Sequence, residues 1–174
     1  MAFPRSRRVY DEVSLYDYAV GALGRQMRSV AELKRLLRRR LSGQENSGDI
    51  IESVIARLKE QRYLDDRRYA AAYSSYRRDN EKFGRQRVIT DLKIKGVHGD
   101  VIERAVGAAY EGVSEEKLAR AFLARKRLRK PANQKEAARI FRAMVRAGFS
   151  SRVIFRILKN WDVDEEFLSM LESE

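Results

Sequence analysis

The chain has 174 residues, enough for one ordinary domain or a few small ones, and its 44% hydrophobic content is sufficient for a core. Lys plus Arg number 37 against 25 Asp plus Glu, a formal net charge of +12 that points to a polyanionic partner, nucleic acid first and an acidic protein surface second. The lack of cysteine excludes disulfides and thiolate metal sites, and no run of about 18 apolar residues offers a transmembrane helix.

Residues 1–13 read as a basic extension. No apolar signal segment follows Arg8, so a cytoplasmic protein is expected. A first helix is predicted from about Leu15 to Arg25. Ser29 and Glu32 then form a capping box, Ser/Thr-x-x-Glu, that opens a second helix with Leu33, Leu36, Leu37 and Leu41 on its apolar face. After a loop over 42–48, the residues Ile51, Val54, Ile55 and Leu58 follow i, i+3, i+4, i+7, the signature of one buried helix face.

The pattern repeats. Asp65 or Asp66 is a candidate N-cap for a helix from Arg67 to about Arg78, with Tyr69, Ala70, Tyr73 and Tyr76 on its apolar and aromatic side. A helix from about Gly84 to Lys95 places Val88 and Leu92 inward and ends at Gly96 as a left-handed C-cap. The next carries the quartet Ile102, Ala105, Val106 and Ala109, with His98 at its N-cap and Val97 and Ile102 placed as a hydrophobic staple. In the third set, helices are predicted over about 115–128 and 135–147, the latter with Ala138, Phe141 and Val145 inward and Pro131 in the loop before it. Phe149, Ser150 and Ile154 then repeat the staple, and Ile154, Ile157, Leu158 and Trp161 the quartet. In the first set Asn46 stands where Val97 and Phe149 stand, so the staple is missing there.

Quartets offset by 51 and 52 residues mark stacked supersecondary units. The expected fold is all-α, three tandem three-helix, helix-turn-helix-like repeats (14–65, 66–113 and 114–174, the last with an acidic C-terminal end) forming an elongated, curved array. No catalytic, cofactor or metal site is predicted. His98 is the sole histidine, the glycines match neither the Walker nor the dinucleotide fingerprint, and the Asp65–Asp66 pair is better read as a helix cap than as metal ligands.

Charge opposite the apolar faces carries the functional argument. Arg35, Arg38 and Arg39 share one helix face; Arg67, Arg68, Arg77, Arg78, Lys82, Arg85 and Arg87 frame the middle set. From 117 to 130 stand Lys117, Arg120, Arg125, Lys126, Arg127, Arg129 and Lys130 with no acidic residue among them. These seventeen are the candidate binding residues. From Asp162 to Glu174 there are six acidic residues and no basic one, so that end is expected to point away from a polyanion.

Arg28-Ser29-x-x-Glu32-Leu33, Tyr63-Leu64-Asp65-Asp66-x-x-Tyr69-Ala70, Arg77, Phe83-Gly84-Arg85 and Leu92-x-x-Lys95-Gly96-Val97, in this order, resemble the RecX family of bacterial recombination regulators. The resemblance implies three tandem three-helix units and a modulator of the RecA recombinase. Such a protein binds the RecA–single-stranded DNA filament and restrains its growth, ATPase, strand exchange and co-protease activity; it also binds single- and double-stranded DNA. It implies no enzyme, cofactor, membrane or small-molecule substrate, and a monomer is expected. The competing readings are a DNA-binding regulator that places a third helix in the major groove and a nucleoid-associated basic protein. The third-helix positions Glu52, Arg57, Lys59, Glu103 and Arg104 lack the Arg, Asn and Gln enrichment that a base reader needs.

Overall fold

The computed structural model describes residues 9–173, so the first eight residues of the basic extension lie outside it. The described residues form ten α-helices and no strand: α1 Glu12–Arg25, α2 Val30–Arg40, α3 Ser47–Glu60, α4 Asp66–Asp79, α5 Arg85–Ile94, α6 Gly99–Tyr110, α7 Glu115–Arg125, α8 Gln134–Arg146, α9 Ser151–Lys159 and α10 Glu165–Ser173.

Short polar residues set most of the helix starts, because a side-chain oxygen there meets an amide that has no partner inside the helix. Asp11 with Ser14 and Ser29 with Glu32 close reciprocal capping boxes on α1 and α2. The Asp65 carboxylate accepts the Arg67 and Arg68 amides at 2.8 and 3.2 Å and opens α4; Ser114 and Asn133 cap α7 and α8. His98 and Ser150 occupy N-cap positions without capping. The His98 imidazole is exposed, and the Ser150 hydroxyl instead donates to Glu115 at 2.9 Å. α3 starts one residue earlier than its quartet implies, at a left-handed Asn46 whose side chain makes no cap.

The chain packs as two compact units. The first is the stretch through Tyr69 joined by Lys95–Val97, and the second comprises Ala70–Ile94 and everything from His98 onward. In the first, α1, α2 and α3 bury Leu15, Ala19, Leu33, Leu37 and the whole first quartet, Ile51, Val54, Ile55 and Leu58. In the second, α7 to α10 bury Phe122, Phe141, Met144, Phe149, Ile154, Ile157, Leu158 and Leu168 in one cluster, with the Phe122 and Phe149 rings 5.6 Å apart. Val88, Leu92, Ile102, Val106 and Ala109 are buried where α5 packs on α6, and Val97 is buried as well.

Five expectations need correction. Val145 is exposed; Met144 takes its place, because the buried stripe of α8 runs through Ala137, Ile140, Phe141 and Met144, and Val145 lies a further 100° round. Tyr76 is exposed at the end of the α4 stripe, and Ala105 is only partly covered. Trp161 lies beyond the end of α9 and packs on the core from the following turn. The acidic end is a helix in its own right. Asp164 accepts the Phe167 amide at 3.0 Å, and Leu168 and Leu171 enter the core of the second unit.

One carboxylate joins three segments of the first unit. Glu32 accepts the Ser29 amide at 3.1 Å, the Tyr69 hydroxyl at 3.1 Å and the Lys95 ammonium at 2.7 Å. Buried Ser29 donates its hydroxyl to the Lys95 carbonyl at 2.6 Å, and Asp66 accepts the Val30 amide at 2.8 Å. Gly96 lies so near α2 that a Cβ there would stand 2.5 Å from that of Ala31, and its φ of +74° suits glycine besides. Burial opposes ionisation of Glu32, yet Lys95, Ser29 and Tyr69 outweigh it and hold the carboxyl below its ordinary value of 4.5. Its contribution to stability is therefore full above about pH 4.5 and disappears as the pH falls through the lower folded value. For Asp66 burial wins and the shift is upward, with the opposite sign. Glu32→Gln should lower stability at pH 7 by about 1–3 kcal/mol and flatten the loss of stability on acidification below pH 4.5, measured by urea unfolding across a pH series. A parallel acid limb in parent and variant would show that Glu32 is not anchored this way.

Within the second unit two glycines meet backbone to backbone. The Gly84 amide donates to the Ala147 carbonyl at 2.8 Å, and a Cβ on Gly84 would collide with the Gly148 carbonyl, while one on Gly148 would collide with the Arg87 backbone. Gly107, inside α6, has open space around it. Gly84→Ala should therefore destabilise by about 1–3 kcal/mol through overpacking, whereas Gly107→Ala should stabilise by about 0.5–1 kcal/mol through helix propensity. Thermal melts of both variants test the contrast.

Candidate functional site

The helices carry the predicted cations to different ends. Arg38 and Arg39 project from the last turn of α2, exposed and in no ion pair among the described residues; Arg35, also exposed, donates to the Ala31 carbonyl at 3.3 Å. Arg67 and Arg68 are exposed in the first turn of α4, with Arg68 donating to the Arg62 carbonyl at 3.1 Å.

Further along α4 the arginines turn inward. Arg77 donates from Nε to the Tyr73 hydroxyl at 2.9 Å and lies 3.4 Å from Asp91, which also accepts the Tyr73 hydroxyl at 3.0 Å. Arg87 Nε stands 2.9 Å from the other Asp91 oxygen, near enough for an ion pair but at an angle too bent for a hydrogen bond. Asp91 is only 8% exposed, so two guanidinium groups neutralise a carboxylate that could not stand there alone. Burial lifts the Tyr73 phenol above its ordinary value; for Arg77 burial acts downward, and the Tyr73 and Asp91 contacts outweigh it and raise the guanidinium. Arg78 bridges Asp79 and the Ala109 carbonyl. Lys82 sits half-buried at a left-handed turn, with φ +58°. Arg85 is exposed at the start of α5.

The basic run after 117 gains carboxylates from elsewhere in the second unit. Arg120 pairs with Glu116 at 2.8 Å, Arg125 with Glu81 at 3.2 Å and Lys130 with Asp162 at 2.5 Å. Lys117, Lys126, Arg127 and Arg129 are exposed and form no ion pair among the described residues. Thus Arg77, Arg78, Arg87, Arg120, Arg125 and Lys130 have counterions within the fold. Arg38, Arg39, Arg67, Arg85, Lys117, Lys126, Arg127 and Arg129 form no ion pair among the described residues. Exposed Arg139 and Arg146 on α8 are absent from the sequence-predicted set. Their seven-residue spacing on one outward face is the available signal, masked by the stronger apolar stripe of the same helix. Among the described residues no group of three or more His, Cys, Asp or Glu could hold a metal ion, and no helix is long and apolar enough to cross a membrane.

Ten helices with no strand among the described residues, and cations exposed on several of them, define an all-helical protein with a basic surface. Residues 65–106 match the family model for the second three-helix domain of RecX. The chain is 32% identical over 162 residues to the regulatory protein RecX of Ralstonia nicotianae, covering 93% of this chain and 94% of the relative. It is 30% identical over 149 residues to that of Bacillus licheniformis, covering 85% of this chain and 55% of the relative, so it spans about half the length of its Bacillus relatives. The crystal structure of RecX from Lactobacillus salivarius superposes with a TM-score of 0.62 at 22% identity over 87% of this chain and 97% of that one. Another crystal structure of regulatory protein RecX gives 0.66 at 20% identity over 86% and 71%. The chain belongs to the RecX family of regulatory proteins.

The division between inward and outward arginines makes a direct comparison. Arg77→Ala should cost about 1–3 kcal/mol, because it removes a charged partner from nearly buried Asp91, while Arg67→Ala should change stability by less than about 0.5 kcal/mol. Equal effects in chemical denaturation would refute the distinction.

Proposed function

We propose that this protein binds the RecA–single-stranded DNA filament and restrains filament growth, ATP hydrolysis, strand exchange and co-protease activity in recombination and repair. The observation that carries the reading is the 32% identity to a RecX protein across nearly the whole of both chains. The net charge of +12 and the unneutralised cations on α2, α4 and α7 suit a partner that displays phosphate and acidic protein together. We keep the partition into three repeats (14–65, 66–113 and 114–174) as part of the proposal, since the repeated quartets give each repeat an equivalent third helix, and a monomer in the cytoplasm as its setting.

The test is a titration into RecA assembled on single-stranded DNA, following ATP hydrolysis. A concentration-dependent fall in rate is expected; an unchanged rate without co-sedimentation overturns the reading. Reversing Arg38, Arg39 and Arg127 to Glu together should weaken filament binding. It should also lower the slope of log affinity against log salt by about 0.7 for each single-strand phosphate left without its cation, about 2 for three. The fold should survive, because exposed charges contribute little to stability.

A further inference from the structure

A groove of about 450 Å³ opens in the second unit between the start of α5, the end of α7 and the outer face of α8. Its floor is apolar and partly aromatic, with Phe83 and Phe122 among its residues, and its rim carries Arg87, Lys126, Arg139 and Arg146. None of its lining residues is acidic, whereas a cavity in the first unit includes Asp65 and another in the second includes Glu172. Lys126, Arg139 and Arg146 are exposed and form no ion pair among the described residues. Arg87 is fixed. Asp91 holds it by charge, its NH1 donates to the Arg146 carbonyl at 3.3 Å, and its guanidinium lies 5.6 Å from the Phe83 ring centre.

From this arrangement we infer that the groove takes one unstacked base of a single-stranded nucleic acid, with Lys126, Arg139 and Arg146 holding the flanking phosphates. Three features choose this occupant over an acidic peptide. The floor is apolar, and the half-buried Phe83 ring with the Arg87 guanidinium beside it at the rim offers the planar surface on which unstacked bases rest. Its apolar residues offer no side-chain hydrogen-bonding group, so a base of any identity fits, while a glutamate carboxylate at depth would be desolvated with cations only at the rim. The free cations stand at the mouth, where a sugar–phosphate backbone passes, and not at the bottom, where a carboxylate would need them. Arg139 and Arg146 are seven residues apart on one helix, about 10.5 Å along its axis, so one strand can meet both. A duplex, whose bases remain paired and stacked, can use the rim but not the floor.

The inference rests on the proposed reading of the protein as one that works on a nucleic-acid filament, but its test needs no RecA. A fluorescein-labelled oligothymidylate is titrated with the parent chain, with Arg139→Ala/Arg146→Ala, and with the equally charged control Lys93→Ala/Arg104→Ala, across a salt series. Each single-strand phosphate contact contributes about 0.7 to the salt slope, hence roughly fivefold in affinity at 0.1 M salt. The groove variant should therefore bind roughly 25-fold more weakly with a slope lower by about 1.4, and the control should match the parent. A duplex of the same length should bind the parent less tightly than the single strand. Groove and control variants binding alike would overturn the proposal. So would equal or tighter binding of the duplex, or displacement of the oligonucleotide by an oligoglutamate peptide at equal charge, which would assign the groove to an acidic protein segment. The two readings fail separately: if RecA turnover ignores the protein while the groove variant loses the bare strand, the groove stands and the regulatory reading falls.

Discussion

The Glu32 carboxylate is the constraint on which the first unit depends. A capping box ordinarily satisfies two amides at the start of one helix. Here the same side chain also receives the Tyr69 hydroxyl and the Lys95 ammonium, from residues 37 and 63 positions further along. The start of α2 is thereby fixed to the first turns of α4 and to the segment after α5. Removing the carboxylate leaves several donors short of an acceptor at once, the costly direction of imbalance in a partly buried network. The sequence elements that resemble RecX, Ser29-x-x-Glu32, Asp65-Asp66-x-x-Tyr69 and Lys95-Gly96-Val97, converge here. In this chain they meet in one packed, hydrogen-bonded network.

The surplus of positive charge is handled in two ways. Part of it is matched within the fold, by Asp91 for Arg77 and Arg87, by Glu81 for Arg125 and by Asp162 for Lys130. Another part, including Arg38, Arg39, Arg67, Lys126 and Arg127, is exposed and forms no ion pair among the described residues. The acidic C-terminal end belongs to the first arrangement: Asp162 meets Lys130, Glu165 meets Lys159 at 2.5 Å, and the helix that follows closes the core. Its negative charge neutralises part of the second unit's own basic surface.

Local features were legible in the sequence because a neighbour within four residues determines them. The quartets located α3, α6 and α9; Ser29, Asp65 and Gly96 marked real ends; Arg38, Arg39 and Lys126 were visible as charge on a face the core does not use. What escaped depended on distant partners or on a blurred stripe. Nothing near Arg125 announces Glu81, and nothing near Arg77 on α4 announces Asp91. Val145 and Met144 are adjacent apolar residues whose order only packing decides. α10 was obscured by its charge, although Phe167, Leu168 and Leu171 carry a short helical stripe. The groove beside α8 needed tertiary structure, since its wall comes from three helices separated by some sixty residues of chain.

Lys95–Val97 belongs to the first unit although the chain on both sides of it belongs to the second. No single cleavage can therefore release the first unit whole. A fragment ending at Tyr69 keeps the α1–α3 core but loses the Lys95 ammonium, the carbonyl that accepts the Ser29 hydroxyl, and the backbone of Gly96 beside Ala31. A fragment beginning at Ala70 carries those three residues without the surface they were shaped to cover. Dissecting such a protein by truncation would thus yield pieces that each lack part of their own structure, and an activity missing from both halves would say little about which half carried it.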